Sequence, residues 1–206
     1  MHQRSGEVDL GFEFLFDLLC ALCVKSLSRE LRAKLSTQRS QGKKEEEEAV
    51  PILARAMFGL VNWAARKGLA DSSAPATRSA IGSKARRTGV RGETYAYWYL
   101  RRNGYVMIAR NFTYRGLKGE IDLVGYDGAT IAFVEVKTRT SSREEFGSPE
   151  DAVTAGKQRH LSRMARQFVR EFRIGSAPFR FDILAIEAPP GRRPVVRLPK
   201  GACAAP

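Results

Sequence analysis

The pattern of apolar and polar positions over residues 89–188 predicts a mixed α/β domain. An apolar stripe at helical spacing over residues 91–102, stopped by Asn103-Gly104, predicts one helix, and the stretch from Ser148-Pro149 to residue 172 predicts another. Strands are expected where apolar and β-branched residues cluster, over residues 105–111, 120–126, 130–138 and 179–187. The order is therefore helix, three strands, helix, strand, with a mixed sheet flanked by helices.

The first third of the chain has the pattern of a helical and disordered extension. Residues 1–35 predict a short amphipathic helical segment, whose apolar run Phe12–Val24 is interrupted by acidic residues and is too short to span a bilayer. A helix is expected over residues 51–69, with an apolar stripe at Ile52, Ala56, Leu60 and Trp63. The remaining segments are a polar linker at 36–50, a basic flexible linker at 70–88 and a basic, proline-rich tail at 189–206.

Composition agrees with a packed domain. Of the 206 residues, 43% are hydrophobic and 28% are charged, which excludes a wholly disordered or fibrous chain. Three cysteines are too few for a disulfide framework, so we expect a reducing compartment such as the cytoplasm. The short, interrupted apolar run likewise leads us to expect no stable membrane insertion.

The net charge of +13 calls for a partner. Residues 78–90 and residues 188–206 hold four basic side chains each and no acidic ones, so both flanks of the predicted domain are basic. Nucleic acid is the first polyanion to consider and an acidic membrane surface the second. Two basic arms that only keep the protein soluble would give the same pattern, and charge alone leaves both interpretations open.

Acidic side chains are placed where the predicted hairpin would bring them together. Residues two apart share a face of a strand, so Glu120 and Asp122 project together, and so do Glu135 and Lys137. Two carboxylates 4 Å apart repel by ~4 kcal/mol at an effective dielectric of 20. A divalent cation relieves that repulsion, and carboxylate oxygens with waters are what Mg²⁺ prefers. The alternative is a set of exposed strand-edge residues in weak surface salt bridges.

Glu93 has two interpretations. On the predicted helix it shares the face of Ala96, Tyr97 and Leu100, which would turn it towards the sheet and the acidic cluster. As an acidic residue in a first helical turn, it would instead stabilise the helix dipole. Both remain open at this point.

Several motifs in this order resemble the YraN-like family of uncharacterised bacterial proteins. They are G-x-R-G-E at 89–93, the segment 111–115, G-E-I-D-L at 119–123, F-V-E-V-K-T-R at 133–139, Gly147, Lys157 and R-F-D at 180–182. The resemblance covers about residues 88–188. That family is similar to the PD-(D/E)XK nuclease superfamily, which implies a restriction endonuclease-like αβββαβ core.

The resemblance implies a metal-dependent nuclease that hydrolyses phosphodiester bonds. Asp122 and Glu135 would hold Mg²⁺ or Mn²⁺, aided by the Val136 carbonyl and by Glu93. Lys137 would orient the attacking water or offset charge at the phosphate. Glu120 pairs with Asp122 in the strand pattern, so it would either orient the metal ligands from behind or act as a helper ligand itself.

The basic groups around this site are expected to contact nucleic acid, with linear or branched DNA as the favoured substrate. They are Arg115, Lys118, Arg139 and Lys157, with Tyr114 available for stacking. His160 is expected to be a surface residue, and Arg180 with Asp182 an internal ion pair. A non-catalytic nucleic-acid-binding module and an adaptor acting through the N-terminal helices remain alternatives, and a homodimer stays open.

Overall fold

The fold is a five-stranded mixed sheet with helices on both faces. It is seen in a computed structural model, which describes residues 45–66, 69, 78–140, 155–174 and 177–202. The elements in chain order are α1 (Glu45–Ala65), α2 (Arg78–Arg102), β1 (Val106–Phe112), β2 (Ile121–Asp127), β3 (Thr130–Arg139), α3 (Ala155–Glu171), β4 (Phe179–Glu187) and β5 (Val195–Arg197). From α2 to β4 this is the predicted αβββαβ order, so the α/β, restriction endonuclease-like fold class is confirmed.

The strands follow the chain in the order β1-β2-β3-β4-β5. Strands β1, β2 and β3 form antiparallel hairpins, whereas β3 and β4 are parallel, with α3 in the connection between them. The β2–β3 hairpin is the turn predicted from Asp127-Gly128. Asp127 pairs with Thr130, and Gly128 has φ of 59°, a conformation that glycine adopts without a steric penalty.

Strand alternation gives the sheet two apolar faces and the domain two cores. Within β3, Ala132 and Val134 pack with α1 and α2, whereas Ile131 and Phe133 pack with α3. The first core is rich in aromatic residues of α2, including Tyr95, Tyr97 and Trp98, and the second is built around Phe112, Phe133, Phe168 and Phe181. A strand buried on both faces explains why the sequence of β3 reads as a nearly continuous apolar run.

Helix α1 differs from the prediction in its bounds and in its buried face. It begins at Glu45, inside the expected polar linker, and ends at Ala65 rather than residue 69. The predicted stripe of Ile52, Ala56, Leu60 and Trp63 is exposed. The buried positions are Ala54, Phe58, Val61, Ala64 and Ala65 instead. The helix has apolar residues on two sides, and the aromatic surface of α2 selects the side where Phe58 stacks edge-on against Tyr95 and Tyr99.

The expected basic linker is wrong from Arg78 onward, because α2 starts there and not near residue 91. Residues 85–87 are exposed, so tertiary packing does not hold that part of the helix. Residues 78–90 contain no proline that would stop a helix. Once the buried part of α2 is helical, extending the helix through residues such as alanine, lysine and arginine costs little free energy.

The predicted tail is also wrong over its described part, because residues 195–201 belong to the domain. Strand β5 pairs antiparallel with β4, and the Ile183 N–H donates to the Pro199 carbonyl at 3.2 Å. The Gly201 N–H donates to Asp182 Oδ1 at 2.9 Å. The segment therefore satisfies backbone groups that an uncovered β4 edge would leave unpaired.

Some predictions lie outside the described residues. These are the amphipathic segment at 1–35, the polar linker up to residue 44, and the helix start at Ser148-Pro149. Among the described helices, none is long and apolar enough to cross a membrane.

Candidate active site

The β2–β3 hairpin brings Asp122 and Glu135 to the same end of the sheet. The ladder between β2 and β3 ends at the pair Leu123–Val134, directly before Asp122 and Glu135. Asp122 Oδ2 accepts a hydrogen bond of 2.7 Å from the Val136 backbone N–H, which ties the first residues of β2 to β3. The two carboxylates predicted from the sequence are thus neighbours, close enough for the charge of Glu135 to raise the pKa of Asp122.

Glu135 is the centre of a charge cluster that includes two ammonium groups. Its side chain is 10% exposed, and Oε1 accepts hydrogen bonds from Lys137 Nζ at 2.7 Å and from Lys157 Nζ at 2.5 Å. Lys137 shares the strand face of Glu135, whereas Lys157 comes from the first turns of α3, which covers that face. The structure therefore places Lys157, predicted as a phosphate contact, directly in the carboxylate cluster.

The pKa values of the two carboxylates are pushed in opposite directions. Burial, followed by the negative charge of Glu135, raises the pKa of Asp122 from 3.8 to about 7, although the Val136 hydrogen bond acts the other way. Burial would also raise the pKa of Glu135, but the hydrogen bonds from Lys137 and Lys157 outweigh it and lower that pKa. Glu135 is therefore the more readily ionised member of the pair, whereas Asp122 titrates near neutral pH.

Lys137 remains an ammonium group. Burial would lower its pKa, but the hydrogen bond and the charge of Glu135 outweigh that effect and raise the pKa above its ordinary value. A lysine in this state can attract a phosphate oxygen and donate hydrogen bonds, and it cannot accept a proton from water.

Glu93 approaches the cluster from α2. It lies well inside the helix that begins at Arg78, so the interpretation as a dipole-stabilising residue of the first turn is wrong. Arg110 on β1 donates to Glu93 Oε2 at 3.2 Å, and this arginine is only 7% exposed. Arg110 also donates to the Val90 carbonyl and to Thr94 Oγ1, which fixes its direction. The charge of Glu93 contributes to the raised pKa of Asp122, so Glu93 lies close to the two strand carboxylates.

Gly92 is the second glycine of the G-x-R-G-E motif, and its surroundings explain why this position is glycine. A Cβ at this position would lie 1.8 Å from Thr138 Oγ1, so only glycine allows α2 to approach β3 this closely. That approach places Glu93, the next residue, beside the end of β3 that carries Glu135 and Lys137.

The donor set fits a hard divalent cation. Asp122 uses Oδ2 for Val136 and Glu135 uses Oε1 for the lysines, so Asp122 Oδ1 and Glu135 Oε2 are the oxygens through which the pair could hold an ion. Among the described residues, no three histidine, cysteine, aspartate or glutamate side chains are grouped closely enough to hold a metal. Two carboxylates completed by water and a substrate phosphate are a usual environment for Mg²⁺.

The predicted role of Glu120 depended on its sharing a strand face with Asp122, and Glu120 lies outside the strand. Strand β2 begins at Ile121, and Glu120 is exposed one residue before it, whereas Asp122 is half-buried. The two-residue alternation of a strand therefore does not extend to Glu120.

The turn before β2 carries three of the predicted nucleic-acid contacts. Arg115 and Lys118 are exposed, and Tyr114 is half-buried against the α3 core. His160 of α3 packs against this turn, because a Cβ on Gly119 would lie 2.9 Å from His160 Nε2. His160 is therefore a half-buried packing residue rather than an ordinary surface one, and its Nε2 is buried without a hydrogen-bond partner among the described residues. Arg139 lies at the end of β3.

Arg180 and Asp182 form the predicted internal ion pair. Arg180 Nε donates to Asp182 Oδ1 at 3.0 Å, and Asp182 is 1% exposed. Arg180 also reaches Asp127 at 2.5 Å and the Tyr105 hydroxyl at 3.2 Å. These residues surround the first half of β4, near the turn end of the β2–β3 hairpin, so the R-F-D motif serves the fold here rather than the carboxylate cluster.

Comparison with known proteins decides the family. A sequence profile described as uncharacterised protein family UPF0102 matches residues 92–186. The UPF0102 protein STH1475 of Symbiobacterium thermophilum is 44% identical over 114 residues, which cover 55% of this chain and 93% of that relative. This chain belongs to family UPF0102. UPF0102 proteins of Geobacter metallireducens and Caldicellulosiruptor saccharolyticus are 48% and 43% identical, over stretches covering 48% and 49% of this chain and 77% and 82% of theirs. The YraN-like resemblance is thereby confirmed.

The UPF0102 match covers the whole carboxylate cluster and leaves out α1. It begins at Gly92 and includes Glu93, Asp122, Glu135, Lys137 and Lys157. The first 91 residues, with α1 and the first half of α2, precede it. The candidate site is therefore part of the UPF0102 domain itself.

Some features of the site were not predicted. The pairing of Arg110 with Glu93 and the contact of Gly92 with Thr138 both join elements distant in sequence. The glycines were visible in the motifs, but their neighbours depend on how α2 lies on the sheet. A charged residue such as Arg110 inside an apolar strand was the one available signal.

Proposed function

We propose that this protein is a metal-dependent nuclease that binds DNA and hydrolyses phosphodiester bonds. The observation that supports the proposal best is the hydrogen bond of 2.7 Å from the Val136 N–H to Asp122, which sets that carboxylate beside Glu135 and Lys137. Mg²⁺ is commonly held by one or two carboxylates with waters and a substrate phosphate, and cationic side chains stabilise charge on a transferring phosphoryl group. Neighbouring carboxylates with an ammonium group beside them support both roles at this end of β3.

The roles of the residues follow from their charges. Asp122 and Glu135 would hold Mg²⁺ or Mn²⁺, with the Val136 carbonyl as a further oxygen donor, and Glu93, which pairs with Arg110, would contribute its negative charge nearby. A bound metal ion would supply a Lewis acid for the scissile phosphate and lower the pKa of a water for attack. Lys137 would donate to a non-bridging phosphate oxygen and offset the charge that develops there. Lys157, on the other side of Glu135, would hold the same phosphate group from α3.

The proposal also accounts for the raised pKa of Asp122. A half-buried carboxylate next to Glu135 disfavours its own ionisation. If Asp122 held a divalent cation it would do so as the ionised carboxylate, because metal ligands must be deprotonated. Since pure nucleic-acid binding gains nothing from clustered carboxylates, this arrangement favours catalysis over the non-catalytic module.

The test is cleavage of a substrate panel by the full-length protein. Linear, flapped and four-way-junction DNAs are incubated with Mg²⁺ or Mn²⁺, beside Asp122→Asn, Glu135→Gln and the control Glu120→Gln. Loss of metal coordination removes several kcal/mol of transition-state stabilisation, so the first two variants are expected to lose about 100-fold or more in rate. The control removes an equal charge from an exposed position and should keep its rate.

Two results would contradict the proposal. Undiminished cleavage by both site variants would place the chemistry elsewhere. Binding of DNA without cleavage of any substrate, with either metal, would favour the non-catalytic module.

A further inference from the structure

The solvent side of α3 is a row of arginines that begins beside the candidate active site. Arg159, Arg163, Arg166 and Arg170 follow one another at intervals of four, three and four residues, so they share one face of the helix. All four side chains are exposed. We call these four residues the arginine row.

Nothing in the described part of the chain neutralises the arginine row. None of the four forms an ion pair with a described residue, and the one acidic residue of α3 is Glu171, at its end. Like charges three and four residues apart destabilise an isolated helix. The four exposed positive charges repel one another, and binding an external polyanion would relieve that repulsion.

The position of the row connects it with the catalytic cluster. Lys157 lies two residues before Arg159, and its Nζ is 2.5 Å from Glu135 Oε1. A rise of 1.5 Å per residue makes the row about 16 Å long from Arg159 to Arg170. At 3.4 Å per base pair, that length corresponds to about five base pairs of duplex.

We propose that the arginine row binds the phosphate backbone of the duplex arm that leads away from the scissile phosphate. The inference rests on the proposed function, since it names the substrate surface of that site. Phosphate contacts carry no base-sequence information, so binding of the backbone by the row should be independent of base sequence. Binding here would set the direction in which a DNA arm leaves the active site.

An anionic membrane is the weaker partner for the same charge. Helices that lie on membranes insert apolar side chains beneath a cationic face. The large apolar residues of α3 are Leu161, Met164, Phe168 and Val169, of which the first three are buried against the sheet and Val169 is half-buried against the same core. The exposed face of α3 therefore offers charge without an apolar anchor, which suits a phosphate backbone.

The experiment measures DNA binding in EDTA, where cleavage cannot occur. Fluorescence anisotropy of a labelled 20-base-pair duplex is followed against salt for wild type, Arg163→Gln/Arg166→Gln and the control Arg55→Gln/Arg66→Gln. The control removes the same charge from two exposed positions in and directly after α1, whose buried residues pack on the other side of the sheet.

Counterion release sets the expected size of the effect. Each lost phosphate contact reduces the slope of log K against log salt by about 0.9, so the row variant should lose about 1.8 units of slope. At 0.1 M salt this corresponds to weaker binding on the order of 60-fold. The control should stay within about threefold of wild type, because a distant exposed charge is screened.

Three results would overturn the inference. They are no duplex binding by wild type, equal weakening of both double variants, and a row variant that loses binding to phosphatidylserine vesicles but not to DNA. Thermal melting by circular dichroism checks the fold of the row variant. If that variant melts early, Arg163→Lys/Arg166→Lys decides, because it keeps the charge and should keep the salt slope.

The binding experiment does not depend on catalysis, because cleavage is measured separately with the DNA panel and Mg²⁺ or Mn²⁺. If binding depends on the arginine row but wild type cleaves no substrate of the panel, the nuclease proposal is refuted and the proposed binding surface is retained. Cleavage by wild type with an unchanged row variant would do the reverse.

Discussion

Replacing Asp122 by asparagine is expected to stabilise the metal-free protein at neutral and alkaline pH. In wild type, the half-buried carboxylate must ionise next to Glu135, which costs free energy in the folded state only. Asparagine removes that charge and keeps a side-chain oxygen that can accept the Val136 N–H, now bonded at 2.7 Å to Asp122. The variant therefore removes the electrostatic cost without removing the hydrogen bond across the hairpin.

The magnitude follows from the two pKa values. The unfolded chain releases the Asp122 proton near 3.8, whereas the folded protein keeps it up to about 7. Stability is therefore fully present below the unfolded pKa and is lost as pH rises through the folded pKa. At about 1.4 kcal/mol per pH unit, the loss reaches at most about 4 kcal/mol, and we expect about 2–4. Above pH 8 it should no longer grow.

The assay is urea unfolding in EDTA, followed by circular dichroism at pH 4.5, 6 and 8. The difference between Asp122→Asn and wild type should be small at pH 4.5 and grow with pH. Glu120→Gln is the matched control, because it removes an exposed carboxylate two residues away and should unfold like wild type at every pH. Adding Mg²⁺ at pH 8 should stabilise wild type more than Asp122→Asn.

Either of two outcomes would refute this reasoning. A variant less stable than wild type at pH 8 would mean that the Asp122 charge contributes favourably to the fold. A stability difference that does not depend on pH would mean that the gain comes from packing and not from the displaced titration.

Two further predictions concern the scaffold of the site, and urea unfolding tests both. Gly92→Ala should cost about 1–3 kcal/mol, because its Cβ would lie 1.8 Å from Thr138 Oγ1. Gly89→Ala, in the same helix with nothing within 4 Å, should instead stabilise by up to about 1 kcal/mol, and equal effects would contradict the close approach. Asp182→Ala should cost about 1–3 kcal/mol, because it removes the buried carboxylate that accepts hydrogen bonds from Arg180 and from the Gly201 N–H, while Arg180 keeps Asp127 as a partner. Glu187→Ala breaks an exposed pair and should cost about 0–1 kcal/mol, so a similar loss in both would argue against the buried network.

The structure changes the view of the N-terminal extension. Removal of residues 1–77 would delete α1, whose Phe58 contacts Tyr95 and Tyr99 and whose Asn62 accepts a hydrogen bond of 3.0 Å from the Tyr95 hydroxyl. Burial raises the pKa of Tyr95 to about 12, in keeping with a hydroxyl enclosed between two helices. A shortened protein that tests the nuclease proposal without the N-terminal extension should therefore start no later than Glu45, so that it keeps α1.

The local chemistry of the site was determined by the sequence. Period-two alternation places Glu135 and Lys137 on one face, and the Asp127-Gly128 turn sets the β2–β3 register that brings Asp122 near Glu135. Both depend on neighbours within about fifteen residues, where backbone geometry leaves few alternatives. The order of helices and strands in the αβββαβ core and the β2–β3 hairpin follow from the same short-range rules, whereas the pairing of β4 with β3 and the presence of β5 do not.

Only the tertiary structure decided which distant groups complete the cluster. Lys157 reaches Glu135 because α3 crosses the sheet between two parallel strands, and Glu93 meets Arg110 because a glycine lets α2 touch β3. Helix α1 has two apolar faces, and contact with the aromatic residues of α2 determines which of them is buried. Such contacts depend on how whole elements pack, and packing selects among faces that hydrophobic periodicity alone leaves equivalent.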